Sequence, residues 1–312
     1  MAAAGVPTAG SRTCATPQEA AAALDEFGAP YVVKDDALAA GKGVVVTRDR
    51  AEAVAHAEAC GTVVIEEFLD GPEVSLFAVC DGTAAHALQP AQDFKRIFDG
   101  GRGPNTGGMG SYTPLTWAQP DLAAVVMATV VEPTLAEMRR RGAPFVGCLY
   151  VGLALTEHGP RVIEFNCRFG DPDIQPVLAV LDSSLSSLLL AAARGELASM
   201  PAPVFRDEAA VTVVLASAGY PESSSKGDVI TGVAEAAAAG ADVIHAGTAL
   251  NGSGELVTAG GRVLAVRATG ADVAVARDNA YAAADLITFD GMQRRSDIAA
   301  EPLGVMEGAS LR

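Results

Sequence analysis

The segment Val162-Ile-Glu-Phe-Asn-Cys-Arg-Phe-Gly-Asp-Pro172 brings a carboxylate, an amide and a guanidinium to the end of one apolar run. On a strand, Glu164 and Asn166 are two apart and share a side, so both oxygens can reach one Mg²⁺, a hard cation that prefers oxygen ligands. Arg168 continues on the same side. An isolated Glu-x-Asn reads first as a buried strand ending in a salt-bridged turn. Here, however, Glu164, Asn166, Arg168 and Asp171 put four polar groups into eight residues. A plain core would leave some of them unpaired, at about 1–3 kcal/mol each. A metal-nucleotide site is the better reading.

A polyphosphate needs cations. Lys34 closes an apolar run, and Lys42 sits in Ala39-Ala-Gly-Lys-Gly43, where Gly41 and Gly43 let the backbone fold closely over an anion. The Walker A loop is excluded, since it would need glycine at position 36 and a hydroxyl after Lys42, where the chain has Asp36 and Gly43. Taken alone, this pattern reads first as a surface hairpin with solvated lysines. Glu66-Glu-Phe-Leu-Asp-Gly-Pro-Glu73 puts carboxylates directly after an apolar strand. Such an exit between two lobes suits adenine, read by backbone amides, and ribose, held by Glu73; an acidic turn is an equal alternative. Gly103-Pro-Asn-Thr-Gly-Gly-Met-Gly110 carries four glycines in eight positions. That frees backbone N–H groups to line a cavity and makes the stretch a candidate substrate loop. Asp93-Phe-Lys-Arg96 adds two cations nearby, readable also as a solvated charge pair on a hairpin. His56, His86, His158 and His245 are scattered and form no visible ligand set.

The elements that must position these residues divide the chain into three parts. Thr16 to Phe27 reads as a helix with Thr16 as N-cap and Gly28 as the stop. A strand at Tyr31 to Lys34, a glycine turn at Gly41 to Gly43, a strand at Val44 to Thr47, a helix from Arg50 to Ala59 and the β-rich Val63 to Leu69 give a small α/β lobe. Glu73 to Asp81 and Ala84 to Gln89 resemble paired strands, and Gly100 to Gly110 is expected to be a loop. A long helix at Gln119 to Arg141 precedes strands at Gly147 to Leu155 and Pro160 to Phe165. Ser183 to Arg194 is a helix ending at Gly195, and Ala198 to Pro203 reads as a linker. Beyond it, Ala210 to Leu215, Gly260 to Ala268 and Asp272 to Leu286 predict a separate β-β-α unit.

Composition sets the outer bounds. With 312 residues, 50% hydrophobic and 19% charged, the chain can bury one large core or two to three smaller ones. The net charge of −16 argues against a general binder of nucleic acid or anionic membranes, which needs a dense cationic surface. Five dispersed cysteines with no C-x-x-C pair suggest neither a disulfide framework nor a zinc site, and fit a reducing cytoplasm. No apolar run approaches the roughly 18 residues of a membrane span, and Met1-Ala-Ala-Ala-Gly lacks the features of a signal peptide.

Taken in order, Lys34 with Gly41-Lys-Gly43, Glu66-Glu-Phe-Leu, Gly103 to Gly110 and Glu164-Phe-Asn-Cys-Arg-Phe-Gly-Asp-Pro172 resemble the ATP-grasp fold, specifically the phosphoribosylamine-glycine ligase family. Gly219-Tyr-Pro221, His245-Ala-Gly-Thr248, Val257-Thr-Ala-Gly-Gly-Arg-Val263 and Arg295-Ser-Asp-Ile298 are similar to that family's C-terminal domain, so the resemblance covers nearly the whole chain.

The fold it implies is α+β: a lid lobe at 10–70, a central antiparallel-sheet catalytic lobe at 71–204 and a small C-terminal α/β domain at 205–312, with 1–9 as the connection to a further domain. The activity it implies is ATP-dependent joining of glycine to 5-phosphoribosylamine through glycyl phosphate. In that reading Lys34, Gly41, Lys42 and Gly43 hold the phosphates, Glu66, Glu67 and Phe68 form the adenine hinge, and Glu73 takes the ribose. Glu164 and Asn166 bind Mg²⁺ or Mn²⁺. Arg168 stabilises charge on the transferring phosphoryl group, with Lys42 and Asp171 beside it in the catalytic set. Asp171, Asn105, Gly107, Gly108 and Gly110 are candidates for the second substrate or the amino group of glycine, and Lys95 and Arg96 for the sugar phosphate.

Three departures from the family pattern bear on the acceptor. The family normally starts with a doubly wound domain of roughly 100 residues, which this sequence does not show and which a separate chain could supply. Asp36-Ala37 stands where a glycine is usual, and Asp173-Ile174 replaces Glu-Thr. They leave open a paralogue with another amine acceptor, or a nucleotide-binding fragment that needs a partner domain.

Overall fold

Short β-branched runs build the first sheet. In the computed structural model, which describes residues 1–37 and 43–300, β1 (Ser11–Cys14), α1 (Pro17–Phe27), β2 (Tyr31–Asp35), β3 (Val44–Thr47), α2 (Arg50–Cys60) and β4 (Val63–Glu66) form the lid. Its strands pair in the order β1-β4-β2-β3, all antiparallel. The helix α1 begins as its sequence predicts. Thr16 accepts from the Glu19 N–H while Glu19 accepts from the Thr16 N–H, Pro17 occupies the first turn, and Gly28 ends it. Leu24, Ala53 and Ala57 of the two helices bury Val33, Val63 and Ile65 of the sheet.

Next come β5 (Glu73–Asp81), β6 (Ala85–Ala87), β7 (Gln92–Asp93), β8 (Arg96–Phe98), β9 (Arg102–Asn105) and β10 (Gly110–Thr113). The expected loop over Gly100 to Gly110 is thus partly a hairpin. Gly100 and Gly101, both left-handed at φ 69° and 66°, make the turn that lets β8 and β9 pair. The expected long helix starts at Leu122 rather than Gln119. It runs as α3 (Leu122–Val126), a wider π turn (Met127–Val131) and α4 (Glu132–Arg140). The wide turn lies just before Pro133, whose missing N–H and bulky ring forbid the regular bond to Thr129.

After β11 (Val146–Thr156) and β12 (Gly159–Asn166), α5 (Ile174–Val180) is a helix the sequence reading did not anticipate, disguised by Pro172 and Pro176. Pro176 sits in its first turn, where no backbone N–H is needed. Then follow α6 (Leu185–Arg194), β13 (Ala209–Ala216), α7 (Val233–Ala238), β14 (Asp242–His245), β15 (Thr248–Leu250), β16 (Leu256–Thr258), β17 (Arg262–Gly270) and α8 (Val273–Ala284).

Two further sheets carry the site. One runs β12-β11-β5-β6, antiparallel throughout. The other runs β14-β17-β13-β10-β7. The C-terminal strands therefore do not stand apart as a separate β-β-α unit: β13 pairs with β10, Gly110 opposite Val213 and Thr113 opposite Ala210. One apolar cluster joins Leu76, Val151 and Val162 of the β12-β11-β5-β6 sheet to Val211, Leu264 and Ala280 of the C-terminal segment.

Candidate active site

Register places the metal pair. Gly152 lies opposite Ser75 on one side and Glu164 on the other, while Tyr150 lies opposite Phe77 and Asn166. Directly opposed residues share a face, so Glu164, Asn166, Tyr150, Gly152, Ser75 and, two residues on, Glu73 present one surface. A side chain at position 152 would begin 3.1 Å from Glu164 Cγ, so the glycine leaves room for the carboxylate. Asn166 Nδ2 donates to Glu164 Oε1 at 3.1 Å, which brings the two expected metal ligands together. Among the described residues no group of three or more His, Cys, Asp or Glu is placed to hold a metal. A cation on this hard-oxygen pair would complete its shell with water and phosphate oxygens, the usual situation for Mg²⁺. Arg168 lies just past β12, exposed, donating from Nη1 to the Phe169 carbonyl at 2.9 Å. No carboxylate among the described residues pairs with it.

Between Val162 and Glu164 the ladder slips by one, leaving Ile163 opposite no residue of β11. This bulge frees the Ile163 carbonyl, which accepts from Lys34 Nζ at 3.2 Å. The same ammonium lies 2.6 Å from Glu66 Oε2. Lid and β12 thus meet at Lys34. Glu67 accepts from the Gly10 N–H at 3.1 Å and from Arg161 Nη1 at 3.3 Å, which hold its carboxyl below the usual range. It ties the segment before the lid to β12. Phe68 follows half-buried, and the Gly43 carbonyl accepts from the Asp35 N–H at 2.8 Å. Gly41 and Lys42 lie outside the described residues. At Asp36-Ala37 the backbone needs no left-handed residue, because Ala299 alone among the described non-glycine residues has positive φ.

Across the shared face, Lys95 Nζ lies 2.7 Å from Glu73 Oε2. Lys95 holds the Glu73 carboxyl below its ordinary range. Burial is the largest single influence and works to lower Lys95, but Glu73, Tyr150 and Asp93 together outweigh it and raise the ammonium well above its ordinary value. The ribose and sugar-phosphate candidates are therefore one ion pair. Asp93, which the sequence reading did not single out, joins Glu73, Ser75, Lys95, Tyr150 and Gly152 around one small cavity. Burial and the neighbouring Asp173 push its carboxyl well above the usual range, and its Oδ1 is buried without a hydrogen bond. Its two-residue spacing from Lys95 was the available signal. Asp173 turns inward to accept from Ser75 Oγ at 2.5 Å, and Ile174 is in the core. Asp173 is itself buried, but through Ser75 and the neighbouring Asp93 that departure from the family pattern reaches the same face and cavity.

The glycine loop is held from the C-terminal side. Its N–H groups are not left free as expected: Gly107 donates to the Tyr220 hydroxyl at 3.0 Å and Gly108 to Thr106 Oγ1 at 2.9 Å. Arg262, at the start of β17, donates from Nη1 to the carbonyls of Gly107 at 2.7 Å and Asp171 at 2.6 Å, and from Nη2 to Asp171 Oδ2 at 3.2 Å. Asp171 also accepts from Gln175 Nε2 at 2.8 Å. Arg96 bends back onto the Gly103 carbonyl at 2.7 Å, while Asn105 is exposed. At the hairpin tip the Gly100 N–H donates to Asp297 Oδ2 at 2.7 Å, and Ser296 binds Asp99 through N–H and hydroxyl. The wholly buried Arg295 pairs with Asp297 at 2.7 Å and donates to the Arg96 carbonyl at 3.2 Å. Tyr220, Arg262 and Arg295 stand in segments quoted for the C-terminal resemblance, but these long-range grips have no local sequence signature, so none of the three was given a role.

An antiparallel lid closing with a lysine on the bulged edge of a second antiparallel sheet, over paired oxygen donors, defines an ATP-grasp protein. Solved structures at low identity share this fold: a biotin carboxylase domain from Hydrogenobacter thermophilus (15% identical, TM-score 0.72, covering 94% of this chain and 65% of that one) is one. The family model for the phosphoribosylglycinamide synthetase ATP-grasp (A) domain matches residues 1–174, and that for its C domain residues 210–301. The chain belongs to the phosphoribosylglycinamide synthetase family. It is 61% identical over 307 residues to a phosphoribosylamine-glycine ligase of Streptomyces coelicolor, covering 97% of this chain and 74% of the relative. To that of Leifsonia xyli it is 55% identical, covering 95% and 72%. The crystal structure of phosphoribosylamine-glycine ligase from Thermotoga maritima is 36% identical with a TM-score of 0.87, covering 96% of this chain and 76% of that one. Among the described residues no helix is long and apolar enough to cross a membrane.

Proposed function

We propose that this chain joins glycine to 5-phosphoribosylamine at the expense of ATP, giving glycinamide ribonucleotide, ADP and phosphate. The observation that carries the reading is the meeting of Lys34 with the bulged carbonyl of Ile163, one residue before Glu164 and three before Asn166. A phosphate chain lying under the lid there meets a cation from one sheet and metal ligands from the other. Glu164 and Asn166 hold Mg²⁺, or Mn²⁺ in its place, which when bound neutralises phosphate charge. Lys34 and Lys42 hold the phosphates, Glu66, Glu67 and Phe68 border adenine, and Glu73 faces the ribose.

No side-chain nucleophile is required. A carboxylate oxygen of glycine attacks the γ-phosphorus, ADP leaves with the bonding electrons, and the acyl phosphate forms. The amine of phosphoribosylamine then attacks the acyl carbon, phosphate departs and the nitrogen loses a proton. Arg168, free of an anionic partner among the described residues, offers its guanidinium to the phosphoryl oxygens as charge moves, which is electrostatic preorganisation rather than acid-base chemistry. Asp171, Asn105 and the Gly107 to Gly110 backbone border the second substrate, with Lys95 and Arg96 toward its phosphate.

The test is ADP release by purified chain with ATP, Mg²⁺, glycine and freshly made phosphoribosylamine. Because the relatives are longer than the span matched here, a second arm adds a separately expressed N-terminal domain of a relative, as a chain that completes the acceptor site. ADP release that needs both substrates in either arm supports the reading. Absence in both arms, with turnover on a different amine, would overturn it.

A further inference from the structure

The start of β17 is tied to the glycine loop twice, once through the sheet and once through a side chain. Through the sheet, the loop runs into β10, β10 pairs with β13, and β13 pairs with β17. Through the side chain, Arg262 at the first position of β17 returns to the Gly107 and Asp171 carbonyls and to the Asp171 carboxylate. The circuit is closed, so the loop's position relative to the turn after β12 is set by the fold. Glycine at 107 is part of it: a Cβ there would stand 2.9 Å from Arg262 Cζ. Tyr220 adds a second hold on the same residue, at the preceding peptide, by accepting from the Gly107 N–H. A guanidinium suits this place because its planar fork can serve two peptide carbonyls and a carboxylate at once; a lysine ammonium would serve one point. Among the described residues no hydrogen bond or ion pair joins Arg262, Tyr220, Gly107 or Asp171 to the lid or to Glu66–Glu73; the nearest link runs from Thr106 to the Lys95 carbonyl, Lys95 pairing with Glu73.

We propose that Arg262 is a positioning residue, holding the Gly107–Gly108 peptides against Asp171 and thereby setting affinity for the amine acceptor while leaving the nucleotide site unchanged. This rests on the ligase reading above. The test uses the full chain carrying Arg262→Lys or Tyr220→Phe, with two readouts. The first is steady-state KM for phosphoribosylamine, glycine and ATP, with kcat. Arg262→Lys should raise the acceptor KM about tenfold or more, the loss expected for charge-assisted bonds that orient a site, while the ATP KM stays within about twofold. The second is amide hydrogen exchange, which needs no turnover. Exchange at residues 105–110 should rise in both variants, with β5 and β11 unchanged. Unchanged loop exchange overturns the proposal, as does an equal rise in the acceptor and ATP KM values. Should Arg262→Lys fail to fold, Tyr220→Phe decides by exchange at Gly107. Should the parent show no ADP release with this substrate pair, with or without the added N-terminal domain, yet turn over a different amine, the ligase reading fails on its own, and loop exchange still decides whether Arg262 positions the loop.

Discussion

The ammonium of Lys34 lies 2.6 Å from the Glu66 carboxylate, with only 20% and 17% of the two side chains exposed. Phosphate oxygens would compete with Glu66 for that ammonium. Lys34→Met should raise the ATP KM about tenfold or more, as expected for a lost charged hydrogen bond. Glu66→Gln keeps a hydrogen-bond acceptor for Lys34 and should change it by about threefold at most. Equal losses would mean that the pair acts as a structural tie and that Lys34 does not reach phosphate.

Arg168 differs from most arginines around it in lacking a carboxylate partner among the described residues. Arg168→Ala should leave nucleotide affinity within about twofold and Tm nearly unchanged, yet lower kcat about a hundredfold, the scale of one lost transition-state donor. Unaltered turnover would remove it from the catalytic set.

Asp93 predicts a pH signature. Burial, Asp173 and Glu73 raise its carboxyl, Lys95 and Arg262 oppose, and the net direction is upward. A carboxyl raised on folding contributes fully below its unfolded value of about 3.9, and that contribution is lost as pH rises through the folded value. Asp93→Asn stays neutral throughout. Its Tm relative to the parent should therefore climb from about pH 4 to about pH 8. A difference independent of pH would show that Asp93 is ionised across the range.

Arg295 is 1% exposed, and its guanidinium is shared between Asp297, the Arg96 carbonyl and the ring of Phe94 5.0 Å away. Arg295→Met strands Asp297 and should cost about 3–5 kcal/mol in urea denaturation. A loss below about 1 kcal/mol would mean that water compensates the pair readily.

How far the sequence could be read followed from how local each feature is. Glu164 and Asn166 were legible because a two-residue spacing puts both on one face of a strand, and the Asn166 to Glu164 contact bears that geometry out. The helix α1 was legible from Thr16, Pro17, Glu19 and Gly28, all within one short window. The bulge at Ile163 was not, since it depends on the partner strand. The same holds for the grip of Arg262, 155 residues away, on Gly107, and for strands as short as β7, where periodicity has nothing to repeat. The glycines of the loop were singled out for freed N–H groups. The structure uses Gly107 for close approach instead and spends its N–H on Tyr220.

The pairing of Gly110–Thr113 with Ala210–Val213 has a consequence for biosynthesis. Synthesis runs from the N-terminus, and a strand cannot pair with one not yet made. The lid, whose described strands pair only with one another between Ser11 and Glu66, can form while the chain is still being made. The glycine loop must wait for Ala209–Ala216, and its side-chain clamp for Arg262. A nascent chain arrested short of Ala209 would carry a nucleotide lid with no fixed acceptor loop, so a ribosome-bound intermediate should take up nucleotide well before it can discriminate an amine.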